Sequence, residues 1–379
     1  MRICYFADGR YIHAERWMKY FVERGYDVHL ISFAEITAER VGELTTLGIK
    51  YHGVTGNVHL KRFWLTLKDL KFVGSVLKKE KIDILHSHFL GPNVWYGALS
   101  GFHPHIVTAM GGDVTGKDWT PSRNAQERFL TPYALRNADV VTAWGPVLAE
   151  RLRPYVRKGV NIEITHGGVD LKQFKPGSKS SFLRKSLNIP EDGRIVFSPR
   201  LIRRLYNIDT IARAAGLVCT QRLNVYFVIA LPETILDDEY VTEIKQIFAD
   251  SAAKDAVRFV PTIRYDEMAD HYRLADASVS IPDTDGTPMT VLESMACGTP
   301  TVIGNLPDYD REYFEHEATT LMTDVKDPQS VADAILRILS DGDLANRITD
   351  EARHRVTATG GYEYQMGKME EIYRRVLKP

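Results

Sequence analysis

The sequence predicts an α/β protein made of two doubly wound domains that face each other across a central cleft. Short apolar strands alternate with helical patterns along the chain, which is typical of parallel βαβ units. The alternation stops at a stretch rich in Gly, Pro, Ser and Lys, residues 165–180, and then starts again. A chain of 379 residues also suits two hydrophobic cores better than one.

The order of the elements defines the predicted domains. In the first half the strands are the apolar runs at residues 2–6, 28–32, 82–86, 106–109 and 140–142. In the second half they are the runs at residues 195–198, 225–230, 257–260, 277–281 and 301–303. We therefore expect Rossmann-like domains at residues 1–165 and 166–360, and the last helix, about 361–379, packing back on the first domain.

The composition is that of a globular protein without a membrane span, and the N-terminus lacks the apolar core of a signal peptide. The cysteines Cys4, Cys219 and Cys297 lie far apart, which indicates buried thiols in a reducing compartment. We expect a cytoplasmic protein. Lys and Arg outnumber Asp and Glu by 22 to 16 over residues 1–165 but trail by 26 to 33 over residues 166–379. The first half therefore carries a basic face for an anionic partner, unless the asymmetry is chance.

Residues 60–79 predict an amphipathic helix with several lysines between Lys61 and Lys79. The favoured interpretation is a packing helix with a solvated basic face. The alternative is a peripheral membrane contact at the inner face of the membrane, near a lipid-linked acceptor, because Phe63 and Trp64 stand beside basic residues.

The stretch DTDGTPMTVLESMACGTPT, residues 283–301, predicts a binding site at a helix start. Pro288 suits the first helical turn, and Gly298 followed by Pro300 suits the end. The small residues of the loop leave the first backbone N–H groups open to an anion, which the helix dipole favours. Glu293, about one turn in, is placed to bind a ribose diol, and Asp285 to meet a sugar beyond the phosphates. The pattern predicts a nucleotide-sugar site. Its other predicted residues are Gly286, Thr287, Met289 and Thr290.

This stretch resembles the signature of glycosyltransferase family 4, whose members are retaining enzymes of the GT-B fold. Both have an acid, seven residues, a Glu and then small residues ending in Gly-x-Pro. Residues 165–176 (THGGVDLKQFKP) resemble the family's interdomain N-G-V-D element, and residues 199–201 (PRL) its G-R-L. Residues 81–86 (KIDILH) and 107–113 (VTAMGGD) also fall in family order. The resemblance implies a GT-B fold whose first domain binds the acceptor and whose second binds the donor.

Three positions depart from the family pattern. The first acid is Asp285, one methylene shorter than the usual Glu, Met110 stands where the family has His, and Leu205 where it has Lys. Arg200 carries over from the family's G-R-L and is placed to stabilise the leaving diphosphate. The cations predicted to replace the lysine are Arg203 and Arg204. The alternative for either arginine is a solvated turn.

Four residues of the first domain are further candidates. Gly9 and Gly112 lie in loops after predicted strands, where the lack of a side chain suits a phosphate or a sugar. His13, at the entry of the first helix, is either an acceptor contact and general base or a capping or core histidine. Asp113 either holds a sugar hydroxyl or caps the next segment.

Two patterns raise the question of a metal. Asp283-Thr-Asp285 matches the D-x-D motif that holds a divalent ion in GT-A glycosyltransferases, but Glu293 and the helix around it fit the GT-B fold better. His86 and His88 have no visible third ligand and are interpreted as cleft wall or strand end. We therefore expect neither a metal nor another cofactor.

The predicted function is retaining, metal-independent transfer of a sugar from a nucleoside diphosphate donor, UDP being favoured. The acceptor is a hydroxyl of a saccharide or lipid-linked molecule in polysaccharide or glycoconjugate synthesis. The predicted catalytic residues are Asp285, Arg200, Arg204 and His13. Two alternatives stay open: a non-catalytic nucleotide-sugar-binding subunit and a nucleotide-sugar 2-epimerase of the GT-B type.

Overall fold

The computed structural model describes residues 1–53, 63–114, 120–121, 125–222, 224–231 and 238–378. The chain divides into two compact units. The first consists of Met1–Gly167 together with Tyr364–Pro379, and the second of Gly168–Glu363. Within the described residues each unit contains a parallel sheet with helices between successive strands, so both have the doubly wound α/β architecture that the sequence predicts.

The first unit is built on a seven-stranded sheet, counted over the described residues. Its strands are β1 Arg2–Phe6, β2 Asp27–Ser32, β3 Lys50–Gly53, β4 Ile84–His88, β5 His105–Ala109, β6 Val140–Ala143 and β7 Ile162–Ile164. Its helices are α1 Ile12–Glu23, α2 Ala38–Thr46, α3 Phe63–Lys79, α4 Pro92–Leu99, α5 Ala125–Asn137 and α6 Pro146–Leu152. The strand order is β3-β2-β1-β4-β5-β6-β7, and every pairing is parallel.

The second unit is built on a six-stranded sheet, again over the described residues. Its strands are β8 Arg194–Ser198, β9 Val225–Ala230, β10 Val257–Val260, β11 Ala277–Ser280, β12 Thr301–Gly304 and β13 Leu321–Thr323. Its helices are α7 Ser181–Ser186, α8 Ile208–Gln221, α9 Asp238–Ala249, α10 Met268–Leu274, α11 Met289–Cys297, α12 Pro328–Ser340 and α13 Gly342–Thr359. The order is β10-β9-β8-β11-β12-β13. The order reverses between β8 and β11, and ligands of open α/β sheets bind outside the carboxyl ends of the strands at such a point.

The central strands of both sheets are buried on both faces, because helices cover each side, whereas the edge strands β3, β7 and β10 are mostly half-buried. In β8, for example, Ile195, Val196 and Phe197 are at most 1% exposed, although successive side chains point to opposite faces. The central strands could be predicted from the sequence because they are continuous apolar runs of this kind.

The last helix, α14 (Tyr362–Val376), packs on the first sheet through buried polar contacts. The hydroxyl of Tyr373 hydrogen bonds with Nδ1 of His86 at 2.5 Å and with the hydroxyl of Tyr5 at 3.0 Å. Nε2 of His86 hydrogen bonds in turn with Oγ1 of Thr108 at 2.6 Å. His86 and His88 are thus buried residues at the end of β4.

Three described strands were not predicted from the sequence: β3, β7 and β13. All three lie at an edge of their sheet. They are three or four residues long, and the first two contain charged residues, so they lack the apolar run that identifies a central strand. Strand β4 ends two residues later than predicted, because its last residues are polar yet buried.

The structure favours the packing interpretation for the described part of the basic helix. Val73, Val76 and Leu77 of α3 are buried in the core of the first unit, whereas Lys68 and Lys71 are exposed. Residues 60–62 of the predicted segment, including Lys61, lie outside the described residues. Among the helices that the structure describes, none has both the length and the apolar character needed to cross a membrane.

Candidate functional site

Helix α11 starts at the carboxyl edge of the second sheet, beside the point where the strand order reverses. Pro288 is its N-cap residue, and the side chain of Pro288 makes no capping hydrogen bond. The first amides of a helix have no intrahelical partner, and together with the helix dipole they favour an anion. Gly298 ends the helix in the left-handed conformation with φ 80°, which glycine adopts without strain.

The predicted residues of the loop before α11 surround this helix start. Gly286, Thr287 and Met289 are buried, and the amide of Gly286 donates to Oδ1 of Asp285 at 2.9 Å. Thr290, in the first turn, has a buried hydroxyl with no hydrogen-bond partner among the described residues. The loop that the sequence predicts for an anion site thus consists largely of buried residues.

An ion pair between Arg200 and Asp285 joins the loops that follow β8 and β11. Nη2 of Arg200 donates to Oδ2 of Asp285, and Nε donates to Oγ of Ser280 at 3.2 Å. The guanidinium carbon lies 4.9 Å from the ring centroid of Tyr206. Burial on its own would lower the pKa of Arg200, but the charge of Asp285 and the tyrosines around it raise that pKa overall. Arg200 is therefore a fixed cation at the carboxyl edge, next to the start of α11.

Glu293 lies in the second turn of α11 and is only 4% exposed. Burial raises the pKa of Tyr272 and of Cys297, the latter to about 12, and the nearby carboxylate of Glu293 raises both further. A carboxylate is costly to bury. Glu293 lies one turn inside the helix, at the position that the sequence assigns to a ribose contact.

The buried hydroxyls of this unit that have no hydrogen-bond partner among the described residues include a group of five around Arg200 and the start of α11. They belong to Ser198, Tyr272, Thr284, Thr290 and Tyr309. Ser198 ends β8, Thr284 and Thr290 flank the start of α11, and Arg200 acts electrostatically on both tyrosines. Unpaired buried polar groups are rare in native proteins. A polar ligand with many oxygen atoms suits this group of hydroxyls.

Asn207 connects three loops at the same edge. It is buried, adopts the left-handed conformation with φ 50°, and donates from Nδ2 to the carbonyl of Ile281 at 2.8 Å and to Oδ1 of Asp283 at 2.9 Å. Lys326, from the loop after β13, donates to Oδ1 of Asn207 at 2.5 Å and pairs with Asp283 at 2.7 Å. Asn207 and Lys326 thus fix the loop that carries Asp285.

The structure does not bring the two predicted replacement cations to Asp285. Arg204 lies over the ring of Tyr240 at 4.6 Å and pairs with Glu243 at 3.4 Å, both on α9. Arg203 is exposed. In this structure Lys326, which was not predicted, is the cation next to the first acid of the D-x-D pattern.

In the first unit, the two predicted glycines have different surroundings. A Cβ on Gly9 would lie 2.5 Å from Cδ1 of Ile36, and the amide of Gly9 donates to Oγ of Ser32 at 3.3 Å. Packing against α2 and its preceding loop therefore accounts for this glycine. Among the described residues, a Cβ on Gly112 would meet only the ring of Phe89, at 3.9 Å, so these residues leave room for a ligand there.

The two predicted polar residues of the first unit also differ. His13 packs edge-on against Trp144, with ring centroids 5.4 Å apart. Asp113 accepts hydrogen bonds from the amides of Leu90 at 2.7 Å, Gly111 at 2.8 Å and Met110 at 3.1 Å. Burial raises the pKa of Asp113 to about 6, against the opposing effect of these amides. Asp113 therefore holds residues that precede it in the chain, whereas the sequence left open a sugar hydroxyl or a cap of the next segment.

The sequence patterns missed several residues of the second unit's site: Ser280, Tyr206, Asn207, Tyr309 and Lys326. Lys326 and Asn207 are 119 positions apart, so no local spacing connects them. The one signal available was Asn207 itself, because an Asn just before an apolar helical pattern is typical of a helix start or a left-handed residue.

Known protein families match both units of the chain. The model described as "Glycosyl transferase 4-like" matches residues 2–144, and the one described as "Glycosyl transferases group 1" matches residues 179–355. The chain belongs to glycosyltransferase family 4. The matches together span strands β1 to β6 and β8 to β13, and the fold is GT-B with two Rossmann-like domains.

Relatives and solved structures agree with this family. The chain is 25% identical to N-acetyl-alpha-D-glucosaminyl L-malate synthase of Bacillus anthracis over 371 residues, which cover 95% of this chain and 92% of that enzyme. It is 28% identical to the D-inositol 3-phosphate glycosyltransferase of Thermobispora bispora over 224 residues, 57% of this chain and 51% of the relative. Glycosyltransferase activity follows for this chain.

Two structures illustrate the fold. The glycosyltransferase of Rickettsia africae superposes with a TM-score of 0.82 at 17% identity, covering 100% of this chain and 98% of that one. HepE of Anabaena, in complex with UDP-glucose, superposes with a TM-score of 0.80 at 16% identity, covering 99% and 100%.

Proposed function

We propose that the second unit binds a nucleoside diphosphate sugar at the start of α11 and that the enzyme transfers the sugar with retention of configuration. The observation that supports this most is the start of α11 at Pro288, which is flanked by the cation Arg200 and the buried acid Glu293. The diphosphate would accept hydrogen bonds from the first-turn amides and from Arg200, and Glu293 would bind the ribose diol. Asp285, on the other side of the helix start, would then meet the sugar.

The proposed reaction needs no protein nucleophile. The bond between the anomeric carbon and the diphosphate oxygen breaks, and the acceptor hydroxyl forms its bond on the same face. The leaving phosphate takes the proton of that hydroxyl. Arg200 and the α11 amides stabilise the charge that develops on the diphosphate, which is commonly the largest contribution of a protein to such a step. Asp285 would orient the sugar and stabilise positive charge at the ring.

UDP is the proposed nucleotide of the donor. The HepE structure contains UDP-glucose, although its identity to this chain is only 16%. GDP is the second candidate, because one relative from Mycobacterium tuberculosis, 26% identical over 62% of this chain, is described as GDP-mannose-dependent.

Independence from metal is part of the proposal. Both acids of the D-x-D pattern have cationic partners in this structure: Asp283 pairs with Lys326, and Asp285 with Arg200. In the described residues no group of three or more His, Cys, Asp and Glu side chains is arranged to hold a metal. A divalent ion at Asp283 and Asp285 would have to displace both cations.

The acceptor is proposed to be a hydroxyl of a saccharide or a lipid-linked molecule bound by the first unit, with a cytoplasmic location. Lys and Arg exceed Asp and Glu over residues 1–165, which suits an anionic acceptor or an anionic membrane surface. Contact with the inner face of a membrane would use the exposed lysines of α3, such as Lys68 and Lys71. His13 remains the proposed acceptor-side base.

The proposal is tested by incubating the enzyme with UDP-glucose, UDP-N-acetylglucosamine or GDP-mannose in EDTA, with L-malate, inositol phosphate and simple glycosides as acceptors. Proton NMR of the product gives the anomeric configuration. An α-linked product from an α-linked donor supports retention, and a β-linked product contradicts it. Release of a free epimerised sugar identifies an epimerase, and donor binding without any turnover across this panel identifies a binding subunit.

A further inference from the structure

Phe89, the residue directly after β4, combines an exposed aromatic ring with a strained backbone. It is 47% exposed, and its φ of 71° lies in the left-handed region. Among the described residues other than glycine, Phe89 is the only apolar one with a positive φ, the full set being Lys81, Phe89, Asn188, Asn207 and Glu317. A bulky side chain is strained in this conformation, which persists only where the surrounding structure imposes it and is frequent at functional sites.

Two hydrogen bonds fix the peptide groups on either side of Phe89. Its own amide donates to the carbonyl of Thr108 in β5 at 2.9 Å. The amide of Leu90, the next residue, donates to Oδ2 of the buried Asp113 at 2.7 Å. The fold therefore imposes the left-handed conformation on Phe89, at a position where glycine would be free of strain.

Phe89 lies where the first sheet is expected to bind a ligand. The strand order reverses between β1 and β4, and ligands of open α/β sheets bind outside the carboxyl ends of the strands at such a point. Phe89 follows the carboxyl end of β4 directly. A Cβ on the exposed Gly112 would lie 3.9 Å from Cζ of the Phe89 ring and within 4 Å of no other described atom outside its chain neighbours. The ring therefore borders space that the described residues leave open.

We propose that the ring of Phe89 is the platform on which the acceptor stacks, and that the acceptor presents a hydroxylated six-membered ring, a pyranose or a cyclitol, rather than an open chain. The inference rests on the proposed function, which assigns the acceptor to the first unit. Such a ring has a face of C–H groups that suits an aromatic side chain, and an edge of hydroxyl groups. Stacking on Phe89 covers the face and leaves the hydroxyls of the edge free to react.

The test is steady-state transfer by the wild type, Phe89→Gly and Phe89→Tyr to methyl α-glucopyranoside, inositol phosphate and L-malate. The donor is whichever of UDP-glucose, UDP-N-acetylglucosamine and GDP-mannose the wild type uses. We expect Phe89→Gly to raise the KM of the cyclic acceptors about five- to twenty-fold, and Phe89→Tyr, which keeps the aromatic face, to change it by less than about two-fold. The KM of L-malate, which has no ring, should change less in Phe89→Gly than that of the cyclic acceptors. Nucleotide affinity, measured by calorimetry, should be the same in all three proteins.

Lys81→Gly is the matched control, because Lys81 is also exposed and left-handed, with φ 52°, but precedes β4 at its amino end. It should leave the KM of every acceptor unchanged. The thermal midpoint of Phe89→Gly should change little, since the relief of strain offsets the loss of the half-buried ring. An unchanged KM of the cyclic acceptors in Phe89→Gly, or wild-type transfer to L-malate alone, overturns the role of Phe89 while the transfer function stands. If the wild type transfers to none of these acceptors, the proposed function fails and the inference fails with it.

Discussion

Asp285→Asn separates the structural role of the central ion pair from its role in binding. The substitution keeps the shape of the side chain and removes its charge. The side chains of Arg200 and Asp285 are only 15% and 22% exposed, so solvent screens the pair weakly. Hydrogen bonds to charged groups in such surroundings contribute about 1.5–3 kcal/mol. We expect Asp285→Asn to lower the free energy of unfolding by about 2 kcal/mol, or the thermal midpoint by about 4–8 °C for a unit of this size.

Glu243→Gln is the control for this prediction. It neutralises the partner of Arg204 in a pair whose side chains are 58% and 43% exposed. Exposed pairs contribute about 0–1 kcal/mol, so the thermal midpoint should fall by no more than about 4 °C, and by less than in Asp285→Asn. Differential scanning calorimetry of both variants beside the wild type gives the comparison.

For Asp285→Asn we expect opposite effects on nucleotide binding and on sugar transfer. Without a carboxylate to compete for Arg200, UDP should bind Asp285→Asn at least as tightly as the wild type. Sugar transfer should fall by about 100-fold or more, since a group that acts on the developing charge is lost. Equal stability of the two variants, or weaker UDP binding by Asp285→Asn, would refute the reasoning about this pair.

Three further predictions concern other parts of the chain. Burial lowers the pKa of three histidines of the first unit, His88, His105 and His166, to about 3, 4 and 3. Below about pH 6.5 the unfolded chain therefore binds protons that the folded protein does not. This lowers the free energy of unfolding by about 2 kcal/mol per histidine by pH 5. All five tryptophans precede residue 145, so tryptophan fluorescence follows the unfolding of the first unit. The thermal midpoint measured in this way should fall by more than about 10 °C from pH 7 to pH 5, and an unchanged midpoint contradicts this. Gly9→Ala should lower the same midpoint without affecting UDP affinity, because its Cβ would approach Ile36 to 2.5 Å; a loss of affinity at unchanged stability would instead assign Gly9 to the ligand. Lys326→Met should slow sugar transfer, because Lys326 holds the loop that carries Asp285. Lys179→Met is the control, since Lys179 is an exposed lysine paired with Asp276. Equal transfer rates in both variants contradict the role of Lys326.

The sequence predicted those parts of the fold that depend on local patterns. Strands β9 and β10 were predicted with their observed ends, because each is a largely apolar run with a clear boundary, although β10 lies at an edge of its sheet. The edge strands β7 and β13 were missed, since three residues with one open side give no pattern. Helix α11 was placed within one residue of its start by Pro288 and of its end by Gly298.

The partners within the site depend on tertiary structure and were less predictable. The motif placed Asp285 and Glu293 at the helix start, but nothing in it indicates that Asp285 pairs with Arg200, 85 positions away. Arg204, which the sequence offered as a replacement for the family lysine, pairs with Glu243 on α9. The partners of the arginines at positions 200 and 204 depend on the backbone of their loop, and spacing alone does not fix that.

The central claim is that the start of α11 is a metal-independent nucleoside diphosphate site with Glu293 at the ribose. Calorimetric titration of UDP, GDP and ADP in EDTA, on the wild type and on Glu293→Gln, tests it most directly. The account predicts that one nucleotide binds the wild type without metal and binds Glu293→Gln at least about ten-fold more weakly, the loss of a charged acceptor being worth about 1.5–3 kcal/mol. Binding that appears only after Mg²⁺ or Mn²⁺ is added, or that is equal in the two proteins, would contradict it.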